Sequence, residues 1–351
     1  MEIPVANVYY LLCYAWNKLE ESETIKVDPT QSTELVDLFA RVLISGLDHL
    51  LKKGIDRGYV VHSEESRVLR GKLALQVTIK RALLSQGQIH CEYDDLSYDV
   101  LHNQIVKAML LRLIRTDDIH TENRSRLVDL SHRLSEVRSI ELTKQMFGKV
   151  QLHRNNYIYD FLLRICELLF DNLLPTEEAG AWRFRAFSQD RERMAVLFES
   201  FIRNFYKREA RTVCGDDLVK VGREDIRWKF IPLNDDAADA LPKMQTDVCI
   251  TRKSKKTIIE CKYTDDPLCA GQFGGVLKLD PSHLYQLNSY LDNLSDEPIN
   301  TNCHAVLLYP LAVRATKHDY RRSKGQLVSV RTIDLTQSWA AIHSDLLALI
   351  A

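Results

Sequence analysis

A chain of 351 residues, 45% hydrophobic and 27% charged, has the make-up of an ordinary globular protein and is long enough for two domains with separate cores. Its 47 Lys and Arg against 48 Asp and Glu leave a formal charge of −1, so any polyanion would have to be held by local patches. Eight scattered cysteines, with no C-x-x-C pair and no histidine at ligand spacing, speak against a structural zinc or a disulfide framework and for a reducing cytoplasm.

The start, Met1-Glu2-Ile3-Pro4, shows neither a basic n-region nor a cleavable apolar segment. Runs such as AMLLRLI and FLLRICELLF are broken by charges and too short to span a bilayer, so no membrane contact is expected. In chain order, apolar residues at helical spacing (Val8, Leu11, Leu12, Ala15, Trp16, Leu19) predict a first helix over 5–21. A second is expected over 32–54, closed by Gly54 after two lysines. Between 56 and 100 the pattern turns mixed: 58–62, 71–79 and 88–93 read as strands and 79–86 as helical. Two amphipathic helices follow, over 100–117 and 121–137. Together these make an α+β N-terminal domain over 1–155.

The apolar helix at 157–175 marks the junction to a second domain, 156–351, and 177–190 reads as irregular. A helix over 191–210 then lines up Met194, Leu197, Phe198, Phe201, Ile202 and Phe205 on one face. After it come a strand at 225–231, a loop at 233–242 and a hairpin at 246–263. A Gly-containing loop at 269–281 and a helix at 282–294 follow. Strands at 302–310 and 327–335 and a helix at 338–350 complete the chain. Helix, strands, helix, strand is an α/β sandwich order.

The hairpin TDVCITRKSKKTIIECKY carries the chemistry. Alternation puts Ile258, Glu260 and Lys262 on one strand face, with Ile259, Cys261 and Tyr263 on the other. If the hairpin folds symmetrically about Lys253–Ser254, Asp247 lies opposite Glu260, with Cβ atoms roughly 5 Å apart. Two acids that close repel unless a proton or cation sits between them, and oxygen ligands favour Mg²⁺ or Mn²⁺. Such an ion would neutralise a scissile phosphate and acidify a water, with Lys262 positioning that water or stabilising charge. The same pattern also fits a solvent-facing Glu–Lys pair, and a one-residue slip would send Asp247 to the other face. Glu199, at the rim of the 191–210 stripe, is either an acid reaching the mouth of the site or a surface glutamate. Gln286 and Tyr290 lie one turn apart on one helical face, with His283 a turn earlier. They are either site groups or the border of an amphipathic helix.

In order, helix Glu, Asp, E-x-K and Q-x-x-x-Y resemble the PD-(D/E)XK nuclease superfamily, in particular its RecB-like branch. The segments IPVANVYYLLCYAWNKLEE, RFRAFSQDRERMAVLFESF, LPKMQTDVCI, IIECKYTDD, LYQLNSYL and YPLAVRATKHDY resemble, more closely, the McrC family of nuclease subunits from McrBC restriction systems. That resemblance covers essentially the whole chain. It implies a restriction-endonuclease-like domain, a central mixed sheet flanked by helices, over 156–351. It implies an N-terminal domain that docks to a McrB-like AAA+ GTPase hexamer and stimulates it. It implies Mg²⁺-dependent cleavage of methylcytosine-containing double-stranded DNA. Asp247 and Glu260 would be metal ligands, Lys262 the catalytic lysine, Glu199 the helix acid, and Gln286 and Tyr290 accessory. The chain departs from the usual PD spelling, since Thr246 precedes Asp247 and Pro242 lies five residues upstream.

No G-x-x-x-x-G-K-[ST] occurs, and GQFGG lacks a helix-start lysine, so GTP is expected on the partner rather than on this chain. Two other readings share these residues: a non-cleaving adaptor and activator of a AAA+ ring, and a stand-alone repair nuclease.

Overall fold

The computed structural model describes residues 3–351 apart from 26, 33, 154–155, 177–180, 186–189, 235, 238, 265, 270–276 and 295–297. The chain divides into two compact units, Glu20–Ala186 and a second made of Met1–Leu19 with Phe187–Ala351. This moves the expected boundary at 155/156 in two ways. The first helix, α1 (Val5–Ala15), belongs with the C-terminal residues, because its polar and aromatic groups are satisfied there. Asn7 Nδ2 donates to Leu335 O and Gln337 O, both at 2.8 Å, and the Tyr14 ring lies 5.4 Å from that of Trp339. The junction helix Tyr157–Asn172 instead joins the 20–186 unit, where Tyr159 OH donates to Asn103 Oδ1 at 2.7 Å.

In the 20–186 unit, α2 (Leu35–Lys53) ends at Gly54, whose φ of 91° only glycine adopts without strain. Helices α3 (Leu101–Ile114), α4 (Thr121–Arg133) and α5 (Tyr157–Asn172) are its other long helices. Gly46 lets α2 and α5 approach closely, since a Cβ there would fall 2.6 Å from Leu162 Cδ2. Buried Asp37 ties α2 to α4 by accepting from His120 N at 3.0 Å and Asn123 Nδ2 at 2.8 Å. A three-stranded antiparallel sheet places β3 (Ile89–Ser97) between β1 (Gly58–Ser66) and β2 (Lys72–Leu73).

The strand expected over 71–79 is therefore only two residues long, and Leu75–Lys80 is helical. Leu75 and Ile79 sit exposed one turn apart. Buried Thr78 turns back on Ala74 O and accepts His90 N, an arrangement that alternation of apolar residues does not reveal.

The second unit is built on a six-stranded mixed sheet. After α1, its main elements in chain order are α6 (Arg191–Cys214), β4 (Leu218–Gly222), β5 (Val248–Arg252), β6 (Lys256–Cys261), α7 (Pro281–Asn293), β7 (Cys303–Pro310), β8 (Lys317–Arg321), β9 (Leu327–Ile333) and α8 (Trp339–Ala348). The strand order is β8-β9-β7-β6-β5-β4, with β6/β7 and β7/β9 parallel and the remaining pairs antiparallel. Strands covered on both faces read as near-continuous apolar runs, as in AVLLY of β7.

On one face Leu287, Tyr290 and Leu291 of α7 pack with Ile258, Leu307 and Tyr309. The other face meets α6, whose expected stripe Met194, Leu197, Phe198, Phe201, Ile202 and Phe205 is buried throughout. Both helix starts are capped: Asp190 accepts Arg193 N, and Asp280, before Pro281, accepts Ser282 N at 2.8 Å.

Of the strand expected over 225–231 only Asp225–Ile226 forms, paired with Met244–Gln245. Beyond it, Trp228 Nε1 donates to Pro242 O at 2.7 Å and Lys229 N to Asn293 Oδ1 at 2.7 Å, so local acceptors replace a ladder. Cys91, Cys166, Cys214, Cys249, Cys261 and Cys303 are buried free thiols, and Cys13 is buried as well. Among the described residues no helix is long and apolar enough to cross a membrane.

Candidate functional site

The hairpin adopts the symmetric register. Lys256 pairs Thr251, Ile258 pairs Cys249 and Ile259 pairs Val248 across a turn in which Arg252 N donates to Lys255 O at 2.9 Å. One step on, Asp247 stands at the position facing Glu260, just before β5. The chain has left the ladder there: Asp247 Oδ2 accepts the Cys261 N–H at 2.8 Å, and Thr246 N donates to Glu224 O at 3.0 Å. On the other side Lys262 N donates to Leu308 O at 2.9 Å, which extends the parallel pairing with β7 and fixes the direction of the lysine. The solvent-facing alternative for Glu260 is excluded, because it is 1% exposed.

Lys262 Nζ is tied at two points, to Glu260 Oε1 at 2.9 Å and to Gln286 Oε1 at 2.7 Å. Gln286 Nε2 in turn donates to Tyr290 OH at 2.8 Å, and that hydroxyl donates to Gln245 O at 2.9 Å. The one-turn spacing of Gln286 and Tyr290 on α7 thus builds a relay from the lysine to the backbone just before Asp247. Glu260 Oε2 is buried and has no hydrogen-bond partner. Burial strips hydration from the carboxylate, and Lys262 and the Asp247 backbone offset only part of that cost.

The charges are in tension. Burial, reinforced by the negative charge of Glu199, pushes the Asp247 carboxyl from its ordinary 3.8 up to about 6. Burial, reinforced by Asp247, pushes Glu260 from 4.5 up to about 7. Lys262 pulls both downward without cancelling the rise. The two acids titrate as a pair, and the site favours a proton or a cation between them. Burial likewise raises the Tyr290 phenol, with Glu260 adding to it, so the hydroxyl stays protonated as a donor.

The other sequence expectations divide. Glu199 lies on α6 close enough for its charge to act on Asp247, but its Oε1 is engaged by Arg203 at 2.6 Å and by Arg223. Among the described residues no group of three or more His, Cys, Asp or Glu side chains is set to hold a metal ion. His283 turns away to Tyr309 OH at 2.9 Å. The GQFGG loop at 271–275 lies outside the described residues. Arg223, which grips Glu199 and donates to Gln245 Oε1 at 3.3 Å, was not foreseen. Arg203, four residues after Glu199, could have been, since that spacing pairs charges on a helix.

Comparison with known proteins places this geometry in a context. Residues 6–310 match the family described as McrBC 5-methylcytosine restriction system component. The chain is 29% identical over 345 residues to the Type IV methyl-directed restriction enzyme EcoKMcrBC of Escherichia coli K12, spanning 98% of this chain and 96% of that protein. Its fold matches a chain from the half-complex of Thermococcus gammatolerans McrB AAA+ hexamers with bound McrC. The TM-score is 0.60 at 17% identity, over 99% of this chain and 75% of the other.

Proposed function

Because the chain belongs to the McrBC 5-methylcytosine restriction system component family, we propose that it is the DNA-cutting subunit of such a system. In this reading the six-stranded unit is a PD-(D/E)XK nuclease core that hydrolyses phosphodiesters in methylcytosine-containing double-stranded DNA. The observation that carries it is the buried, unpartnered Glu260 Oε2 beside Asp247, with Lys262 held at the same point. These residues fit a hard divalent ion. Asp247 and Glu260 offer oxygen ligands whose mutual repulsion an ion would relieve, and Mg²⁺ or Mn²⁺ matches that donor chemistry. When bound, it would polarise the scissile phosphate and acidify a water.

The chain's own groups do the positioning. Glu260 and Gln286 hold the Lys262 ammonium in place to donate to a phosphoryl oxygen or to orient the attacking water. Tyr290 keeps Gln286 from turning away. Glu199 serves as an outer carboxylate, fixed by Arg203 and Arg223, which tunes Asp247 through space.

The Thermococcus gammatolerans structure named above has McrC bound to McrB AAA+ hexamers, and the 20–186 unit has a surface suited to such docking. Tyr59 and Val61 of β1 and Leu96 of β3 share one sheet face and are exposed at 77%, 68% and 48%. Leu69, Ile79 and Leu84 add further exposed apolar area nearby in sequence. GTP binding and hydrolysis are assigned to the partner.

The test is a complex reconstituted with its AAA+ partner, acting on methylated plasmid with Mg²⁺. Asp247→Asn and Lys262→Ala each abolish cleavage, by about 10²-fold or more, while stimulation of the partner's GTPase persists. Cutting by both variants at the wild-type rate would remove the nuclease assignment. It would leave the adaptor reading, which the exposed sheet face alone supports.

A further inference from the structure

Lys262 is not the only cation at the acid pair. It is anchored to α7 through Gln286. Arg223, directly after β4, is anchored to α6 through Glu199. The backbone there is tied beside Asp247 by two bonds between the next residues. Glu224 N donates to Thr246 Oγ1 at 3.0 Å, and Thr246 N donates to Glu224 O at 3.0 Å. The bend that presents Asp247 therefore presents Arg223 as well. Asp247 and the guanidinium act on each other's charge through space.

Glu199 does not need this second cation. Its Oε1 already accepts from Arg203, four residues on along α6, at 2.6 Å. The Arg203 side chain is 16% exposed and that of Arg223 44%, so the inner guanidinium serves the carboxylate and the outer one faces solvent. Two guanidinium groups on one carboxylate leave one positive charge in surplus. An arginine carries five N–H donors in a planar fork. Among the described residues Arg223 gives to Glu199 and, at 3.3 Å, to Gln245 Oε1, which leaves part of the fork for another acceptor. A charged fork with unused donors matches the two non-bridging oxygens of a phosphodiester.

We propose that Arg223 is a catalytic residue, donating to a non-bridging oxygen of the scissile phosphate while Glu199 steers it from α6. The inference rests on the reading of the chain as a DNA-cutting subunit and gives that site a second cation beside Lys262. Hydrolysis joins a water oxygen to phosphorus and breaks the ester P–O bond, and overall a water proton ends on the departing oxygen. Negative charge builds on the non-bridging oxygens between these events, and the Arg223 donors meet it there. Arg223 itself gives up no proton.

The experiment measures single-turnover cleavage of methylated plasmid by the chain reconstituted with its AAA+ partner and Mg²⁺. Arg223→Ala is expected to slow cleavage about 10²-fold, and Arg223→Lys, which keeps the charge without the fork, about tenfold. Stimulation of the partner's GTPase stays at the wild-type level in both, which reports that they fold and assemble. Mn²⁺ binding to the full chain, by calorimetry, is kept or tightened in Arg223→Ala, because a cation and not a ligand is lost. A role confined to holding Glu199 is separated by a double-mutant cycle. In a Glu199→Gln background a phosphate contact still gives Arg223→Ala a loss of about tenfold or more, whereas a holding role gives none. Cleavage by Arg223→Ala within threefold of wild type, loss of its Mn²⁺ binding, or disappearance of its effect beside Glu199→Gln overturns the assignment. If Asp247→Asn abolishes cutting while Arg223→Ala does not slow it, Arg223 alone loses its role. If Asp247→Asn cuts like wild type, the nuclease reading falls and takes Arg223 with it.

Discussion

The chemistry proposed for the molecule turns on one oxygen atom. Glu260 Oε2 is buried without a donor, while its partner Oε1 receives Lys262 at 2.9 Å. A fold that leaves a carboxylate half-satisfied beside a second raised acid is less stable without a proton or an ion at that point. The folded-state values of Asp247 and Glu260 lie above their ordinary ones, so the folded chain binds these protons more tightly than the unfolded chain does. Their contribution to stability is full below about pH 4 and is lost as pH rises through about 6 and 7. In metal-free buffer, thermal unfolding scans from pH 5 to 8 should show a declining component that Glu260→Gln flattens. At pH 8 that variant should melt a few degrees above wild type, since 1 kcal/mol moves the melting point of a domain this size by about 2–4 °C. A variant melting lower than wild type at pH 8 would mean that the Lys262 ion pair outweighs the cost of the buried charge.

At the level of elements, α1 shows how local reading and tertiary placement part company. Its helical spacing was legible, yet nothing in the sequence tells that it serves the C-terminal residues. The reason lies in two backbone carbonyls, Leu335 O and Gln337 O, more than 300 residues away, that need the Asn7 amide. Asn7→Ala leaves those acceptors without the amide and should cost about 1–3 kcal/mol in urea unfolding, while Asn7→Asp, which cannot donate, should be no better. An unchanged unfolding midpoint would show that the amide is dispensable. The hairpin register, in contrast, was readable from symmetry, because a two-residue turn at Lys253–Ser254 fixes every pairing on both strands. Strand β8 escaped notice because KHDYR is polar on both faces, as an exposed edge strand is, and so carries no alternation. The α7 relay was legible as spacing only; that Gln286 reaches Lys262 while His283 does not depends on packing against Tyr309.

For the whole molecule, the proposed function puts chemistry and assembly on different units. The site residues all lie in the unit formed by 1–19 and 187–351, and the exposed apolar sheet face lies in 20–186. Placing a charge on that face should therefore uncouple the partner without touching the site. Val61→Asp should weaken association with the AAA+ ring and its GTPase stimulation at least tenfold, with the melting temperature unchanged. Normal stimulation by this variant would move the docking surface elsewhere. The central claim is that Asp247 and Glu260 together hold a divalent ion. It is tested most directly by calorimetric titration of Mn²⁺ into the full chain at pH 6.5, repeated in buffers of different ionisation enthalpy. The expected result is binding accompanied by proton release, as the ion displaces protons shared by the pair, with both signals lost in Asp247→Asn and in Glu260→Gln. Equal Mn²⁺ binding by wild type and both variants would contradict it.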